Sequence, residues 1–403
     1  MKQLSIIMLV AVASVTLAAP AFAWDFSASG SATAKLNQTT IKENKDANAR
    51  TGGGFASEGG GISLKSAHTD GAASATLTYA VNWADGGLDE TLSVSGSKKV
   101  GNWSASAGTS FNLDRYGCSD NGSGSANAAR CGQQTGEDST SVTLTDGTMT
   151  IKLGDAAHLS SQNVSTSSAA AGAVSFDTAD DDASVGAFVG SYEGVSLGYK
   201  ISDTMSATVA YQTSSAVTDA CGLGDNAMDS DTGATYGISG TGLSFNGTFG
   251  TIGVGATVCN AATADKGTAS TSPVSNSTAY STMGIGITMD MGDIKPFLSI
   301  GSYSAEGSQS KSSVGYSGNE LGLTYALGND TIVFYYGSKV DSSTTSGTAA
   351  EDITTTGLEL GYNTTVGPAA LGIGYGSQSV AQTDGAGDGG SMTDIEFNLS
   401  YSF

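Results

Sequence analysis

The stretch Thr393-Asp-Ile-Glu-Phe-Asn-Leu-Ser-Tyr-Ser-Phe403 decides the fold. Ile395, Phe397, Leu399, Tyr401 and Phe403 share one parity and are all apolar or aromatic. Asp394, Glu396, Asn398, Ser400 and Ser402 take the other. Successive side chains of a strand point to opposite faces, so this segment offers one face to an apolar medium and the other to water. An amphipathic edge strand of a soluble protein explains the alternation but not an aromatic as the final residue.

The same period of two recurs upstream. Leu77, Tyr79, Val81 and Trp83 share a parity, as do Val195, Leu197, Tyr199 and Ile201, and Met283, Ile285, Ile287 and Met289. Leu321, Leu323, Tyr325 and Leu327 follow the rule, as do Leu371, Ile373 and Tyr375, with Gly372, Gly374 and Gly376 between and beyond them. Two lengths of connection separate these runs. Short turns stand at Asp70-Gly71, Asp146-Gly147 and Ser202-Asp203. Long polar loops are expected at 37–58, 114–138, 156–182, 214–232 and 259–279. A sandwich has no reason to alternate short and long connections, whereas a transmembrane barrel has turns at one rim and long loops at the other. The expectation is an all-β, transmembrane antiparallel β-barrel of about sixteen strands, with eighteen as the alternative, each spanning with about 9–11 residues.

Composition agrees with a barrel and excludes several other classes. The chain has 57 glycines, 4 prolines and 39% hydrophobic residues, too few apolar residues for a large dry core. Its formal charge is −22, which argues against nucleic acid as a partner, because phosphate binding needs a basic face. Lys2, the apolar run Leu4 to Ala18 and the small-x-small triplet Ala21-Phe22-Ala23 read as a secretory signal peptide over 1–23, so the working domain is expected to be a single barrel over 24–403.

Export places Cys118, Cys131, Cys221 and Cys259 in an oxidising compartment. Three pairings are open, and the favoured set is Cys118–Cys131 with Cys221–Cys259. The first would close a short loop, worth about 3 kcal/mol in the chain-entropy account. Zinc is disfavoured: no CxxC spacing exists, and the histidines are His68 and His158 alone.

Two stretches carry a family resemblance. The ending at Phe403 resembles the terminal strand of bacterial outer-membrane proteins. Asp146-Gly-Thr-Met-Thr-Ile-Lys-Leu-Gly-Asp155 resembles a strand of the general bacterial porins, the trimeric β-barrel porins of Gram-negative outer membranes. The resemblance implies that Tyr401 and Phe403 present the chain to the barrel-assembly machinery. It also implies that the loop near 156–182 folds into the barrel and narrows the pore, and that the protein is a homotrimer set among outer-membrane lipid and lipopolysaccharide. Small residues on some outer faces (Ala73, Ala75, Ala105, Ala107) could pack against a neighbour or simply face lipid. The chain departs from the family in its basic residues: the family often sets several arginines on the constriction wall, and this chain has only Arg50, Arg115 and Arg130, each in or beside a loop.

A pore's function is a hole with a size and a field, and selectivity follows the charges that line it. The acidic candidates for the constriction are Asp155, Asp177, Asp180, Asp181 and Asp182; the basic candidates for the wall are Lys35, Lys65 and Lys152, each out of phase with its apolar neighbours. With 38 acids against 16 bases, mild cation preference is expected for a channel passing small hydrophilic solutes and ions. No cofactor is expected. Asp225, Asp229 and Asp231 lack the order of a calcium loop, so they read as a solvated loop, at most a weak surface Ca2+ site. Catalysis has little support: the glycine runs lack a P-loop lysine, and serines are too common for a serine near a histidine to be informative. The rival class is a secreted adhesin or β-solenoid, which should show a fixed internal repeat, and none is found.

Overall fold

The computed structural model describes residues 24–42, 47–83, 89–113, 136–159, 191–214, 236–265, 277–307, 313–345, 348–349, 352–382 and 389–403. In chain order the elements are β1 (Asp25–Lys42), β2 (Arg50–Asp70), β3 (Ala73–Trp83), β4 (Asp89–Val100), β5 (Trp103–Asn112), β6 (Gly136–Thr145), β7 (Met149–Ala157), β8 (Ser191–Ser202), β9 (Met205–Ser214) and β10 (Tyr236–Phe249). There follow β11 (Ile252–Asp265), β12 (Ser277–Met289), β13 (Ile294–Gly307), β14 (Ser313–Leu327), β15 (Asp330–Thr345), β16 (Thr348–Ala349), β17 (Ile353–Val366), β18 (Ala369–Gln382) and β19 (Ser391–Ser402). β16 is a two-residue piece paired to the end of β15, so eighteen strands are long enough to span. This is the higher of the two expected counts.

Strands pair with their sequence neighbours, and β1 pairs with both β2 and β19. The pairing order therefore returns to its start, a closed antiparallel barrel. A solenoid, whose coils repeat at a fixed period, is not this topology. The turns at one end are short and rely on glycine. Gly71, Gly101, Gly147, Gly250, Gly292, Gly328 and Gly367 all have positive φ, from 56° to 90°, which a tight hairpin needs and other residues rarely adopt.

Several expected loops begin later than the sequence reading placed them. β1 continues to Lys42 and β2 begins at Arg50, so the loop expected at 37–58 is mostly strand. Likewise β7 runs to Ala157, β11 to Asp265, and β12 begins at Ser277. The apolar alternation marks only the part of a strand that meets lipid. Above it both faces are wet, and Ser, Thr and Gly continue the ladder without a pattern to read.

The chain divides into two compact units. The first holds Met1–Ser31, Gly59–Asp146 and Ser402–Phe403. In it Leu77 lies opposite Val94, and Tyr79 opposite Leu92 and Leu64, on one face. The other face is small and hydroxylic: Lys65 is opposite Thr78, Thr78 opposite Ser93, and Ser93 opposite Ser110. Ser74 and Ser97 share a hydrogen bond of 2.7 Å, Ser110 and Ser139 one of 3.0 Å. Trp24 stacks on His68 with ring centroids 5.4 Å apart. The last residue is held by the first strand: Gly30 N–H donates to the Phe403 carbonyl at 2.8 Å, and Phe403 N–H to the Gly30 carbonyl at 2.9 Å. A Cβ on Gly30 would stand 2.6 Å from the Phe403 ring and 2.9 Å from the Gly61 carbonyl oxygen.

The second unit, Ala32–Glu58 and Gly147–Tyr401, carries the larger arc. Its apolar parity is exposed: Leu197, Ile300 and Leu360 are each 50% accessible, and Val209, Leu243, Met283 and Phe397 lie on the same exposed face. A soluble protein rarely leaves a contiguous apolar belt of this kind in water, so this face is the one that meets lipid. The opposite parity is polar and buried: Ser196, Gln212, Ser244, Thr257, Thr282, Ser299, Glu320 and Glu359. In the Lys200–Asp203 turn, Lys200 Nζ donates to Asp203 Oδ1 at 2.7 Å, and this hydrogen bond and charge hold the exposed Asp203 carboxyl below its ordinary range.

The Gly30–Phe403 pair yields a direct expectation. Gly30→Val pushes a branched side chain into the terminal ring and a backbone oxygen. The folded, heat-modifiable form on unheated gels should fall sharply relative to the parent chain, while Gly52→Val, where a Cβ meets nothing within 4 Å, should fold as the parent does.

Candidate pore lining

The inner wall of the second unit is built by register. Each lipid-facing residue hands its neighbour to the interior, so the interior residues of adjacent strands line up in rows. One row runs Ser299, Glu320, Gly337, Gly357, Gln378 across β13, β14, β15, β17 and β18. The next runs Gly322, Tyr335, Glu359, Gly376, Asp394, and the one beyond it Val333, Gly361, Gly374, Glu396. Four carboxylates thus fall on one side of the wall, between β14 and β19. All four are buried, with Glu320 at 0% and Glu359 and Glu396 at 2%. Glycines stand directly across from Glu320, Glu359 and Glu396, so the carboxylates have little side-chain cover from those neighbours.

The basic candidates sit as the alternation required, but not all as free wall charges. Lys65 is exposed on the hydroxylic face of the first unit. Lys152 lies opposite Ser196 and donates to the Ala157 carbonyl at 3.0 Å. Lys35 differs from the expected open cation: it is 5% exposed and its Nζ lies 2.5 Å from Glu396 Oε1. The sequence could not show this, since the partner comes from the opposite end of the chain. Within the second unit Lys152 and Lys200 lie on β7 and β8, while Lys35 and Lys339 lie among the carboxylates of β14 to β19, so both signs of charge are present on that side.

The expected constriction loop leaves β7 in an ordered way. Gly154 has a φ of 96°, and the strand runs on to Ala157, so Asp155 is a strand residue opposite Glu193 and not a loop residue as expected. The left-handed glycine lets the ladder continue past the point where the apolar alternation ends. His158 then turns back: its Nε2 lies 2.8 Å from the Gly154 carbonyl and its Nδ1 3.0 Å from Ser196 Oγ. A carbonyl can only accept, so Nε2 carries the proton, and in the neutral ring Nδ1 accepts from the serine. Leu159 lies over Gly242, where a Cβ would stand 2.4 Å from its Cδ1. It is buried with Ala210, Cys259, Ala261, Tyr280 and Ala305, an apolar patch on the interior parity of β9 to β13. A cavity of about 810 Å³ beside it is lined by Lys152, His158, Leu159, Lys200 and Asn246 among others. Sequence reasoning passed over His158 and Leu159. An apolar residue directly after a strand, facing a glycine-bearing wall, was the available signal, and it needs the register to be seen.

Asp177, Asp180, Asp181 and Asp182 lie outside the described residues, as do Asp225, Asp229 and Asp231. Cys118, Cys131 and Cys221 do too. Cys259 is described, and it is disulfide-bonded. Among the described residues no group of three His, Cys, Asp or Glu side chains is arranged to hold a metal ion.

No protein-family model matches the sequence, and no curated protein matches it. Solved structures do match in shape. The anion-selective porin of Comamonas acidovorans superposes with a TM-score of 0.52 and 12% identity, over 94% of this chain and 100% of that one. The outer membrane channel DcaP of Acinetobacter baumannii gives 0.52 and 14%, over 94% and 97%. The chain has the porin fold. At such identity the likeness is one of fold, so this porin fold's lining must be read from its own residues, as above.

Unreduced peptide mapping of the purified protein should find Cys259 joined to Cys221. A bridge from Cys259 to Cys118 or Cys131 would overturn the favoured pairing. His158→Ala removes both anchors at the exit from β7; a buried hydrogen-bonded group of this kind is worth about 1–3 kcal/mol, and protease cleavage just after Ala157 should rise.

Proposed function

We propose that the protein is an outer-membrane pore of a Gram-negative bacterium, passing small hydrophilic solutes and ions by diffusion with mild preference for cations, and catalysing no reaction. The observation that carries the reading is the combination of a closed eighteen-strand barrel, an exposed apolar outer parity and a polar, charged inner one. Carboxylates on the inner parity can supply a field that acts on solutes.

Cation preference is supported by Glu320, Glu359, Asp394 and Glu396 on one arc of wall, and by the formal charge of −22. The Comamonas porin is anion-selective; fold likeness does not transfer a charge pattern, and the residues here point the other way. On the proposed constriction, Asp177, Asp180, Asp181 and Asp182 would add negative charge, with Lys65 and Lys152 as basic wall residues. A homotrimer is part of the proposal. Its support is the family resemblance together with the outward row Ala75–Gly96–Ala107, where small side chains allow close approach. Lipid and lipopolysaccharide would cover the remaining outer face, with Ca2+ at most a weak bridge at acidic loops. Tyr401 and Phe403 would serve the assembly machinery.

The test is conductance of refolded protein in a planar bilayer, with the reversal potential read under a KCl gradient. Stepwise currents with a cation-selective potential are expected. Glu359→Gln with Asp394→Asn should reduce the cation-to-anion permeability ratio by roughly twofold at about 0.1 M salt, where the screening length is about 10 Å, and by less at 1 M. Folded, inserted protein without current steps would refute the pore.

A further inference from the structure

We propose that the glycine trough on the inner wall of β17, β18 and β19 is a binding subsite for a solute bearing an ammonium or guanidinium head; this rests on the pore reading. β18 turns Gly372, Gly374 and Gly376 inward while Leu371, Ile373 and Tyr375 take the other face. Each glycine is flanked on both sides. Asn363 and Asn398 lie opposite Gly372; Gly361 and Glu396 lie opposite Gly374; Glu359 and Asp394 lie opposite Gly376. Neighbouring strands are about 4.8 Å apart, so residues flanking one glycine start from backbones about 10 Å apart. The space between them has no side chain of its own.

The trough's open hydrogen-bonding atoms define the ligand. Glu396 spends Oε1 on Lys35, while its Oε2 is buried with no hydrogen-bond partner. Asn398 Oδ1, Asn363 Oδ1 and Asn363 Nδ2 are likewise buried and unpartnered. Glu396 is 2% exposed, Asn363 8% and Asn398 9%. Buried polar groups in folded proteins are nearly always satisfied, so a cluster left open marks a place that something else completes. Three of these four atoms only accept, and acceptors cannot satisfy one another. Asp394 is held in place by Thr39, whose hydroxyl donates to Oδ1 at 2.7 Å. The charge on the trough is negative: Glu359, Asp394 and Glu396 against Lys35.

A ligand that carries positive charge and spreads N–H donors over several ångströms matches the three acceptors, and a carboxylate or hydroxyl elsewhere on it would meet Asn363 Nδ2. Alkylammonium and guanidinium heads supply such donors. A bare divalent cation does not, because it needs six or more oxygens gathered at about 2–2.6 Å, and no such gathering of carboxylates exists among the described residues.

The test uses L-arginine and putrescine as probes, with L-glutamate and Mg2+ as controls. In the bilayer, arginine and putrescine should reduce K+ current saturably and glutamate should not. Asn363→Leu combined with Asn398→Leu removes acceptors but keeps the Lys35–Glu396 pair, and should raise the half-blocking concentration about tenfold or more. Lys35→Met with Glu396→Gln, which removes the pair without stranding either charge, should raise it too. Each variant is first checked for the folded form on unheated gels. Equal block by Mg2+ and arginine, or half-blocking concentrations unchanged in both folded variants, would overturn the subsite. Equilibrium dialysis of labelled arginine against folded protein in detergent separates the two readings. Saturable binding without conductance sustains the subsite and sinks the pore; conductance without arginine binding or block sustains the pore and sinks the subsite.

Discussion

Every backbone N–H and C=O that enters a bilayer must find a partner within the protein, since lipid offers none. A sheet meets that demand only by closing, and closure makes the first and last strands depend on each other. The paired hydrogen bonds between Gly30 and Phe403 are the end of that ladder. Everything else follows from it: apolar side chains must face outward, polar ones must face inward, and no strand edge is left for lipid.

That inversion explains why so little dry core is needed. The largest buried apolar group in the second unit is a small patch around Leu159 and Tyr280; beyond it and the buried Val333 and Tyr335, the buried side chains described there are mostly Ser, Thr, Asn, Gln and carboxylate. Glycine serves two purposes here. At the turns it supplies positive φ; on β18 and beside Glu320 it leaves inner-wall positions without a side chain. The first use stabilises the barrel, and the second shapes what the barrel encloses.

The barrel itself was legible because outward residues such as Leu371, Ile373 and Tyr375 must be apolar at every second position, a local rule that a sequence displays. The inner wall was less legible. Asp394 and Glu396 showed their water-facing parity at once, but Glu320 and Glu359 look in sequence like any exposed acid. Only register, which is set by pairing across distant segments, brings them into adjoining rows with Asp394 and Glu396. Lys35 was placed on the correct face and given the wrong state for the same reason. The loop ends were misplaced because wet strand residues such as Ser342 and Thr40 carry no apolar signal. Asp155 stayed in β7 because Gly154 lets the ladder pass a point that looked like its end.

The Lys35–Glu396 ion pair joins β1 to β19 from within. Because side chains alternate, a slip of one residue between these strands would point one of the two charges into lipid and leave the other buried alone. The pair therefore ties the register of the seam to a charge match, a penalty on misaligned closure that adds to the backbone ladder.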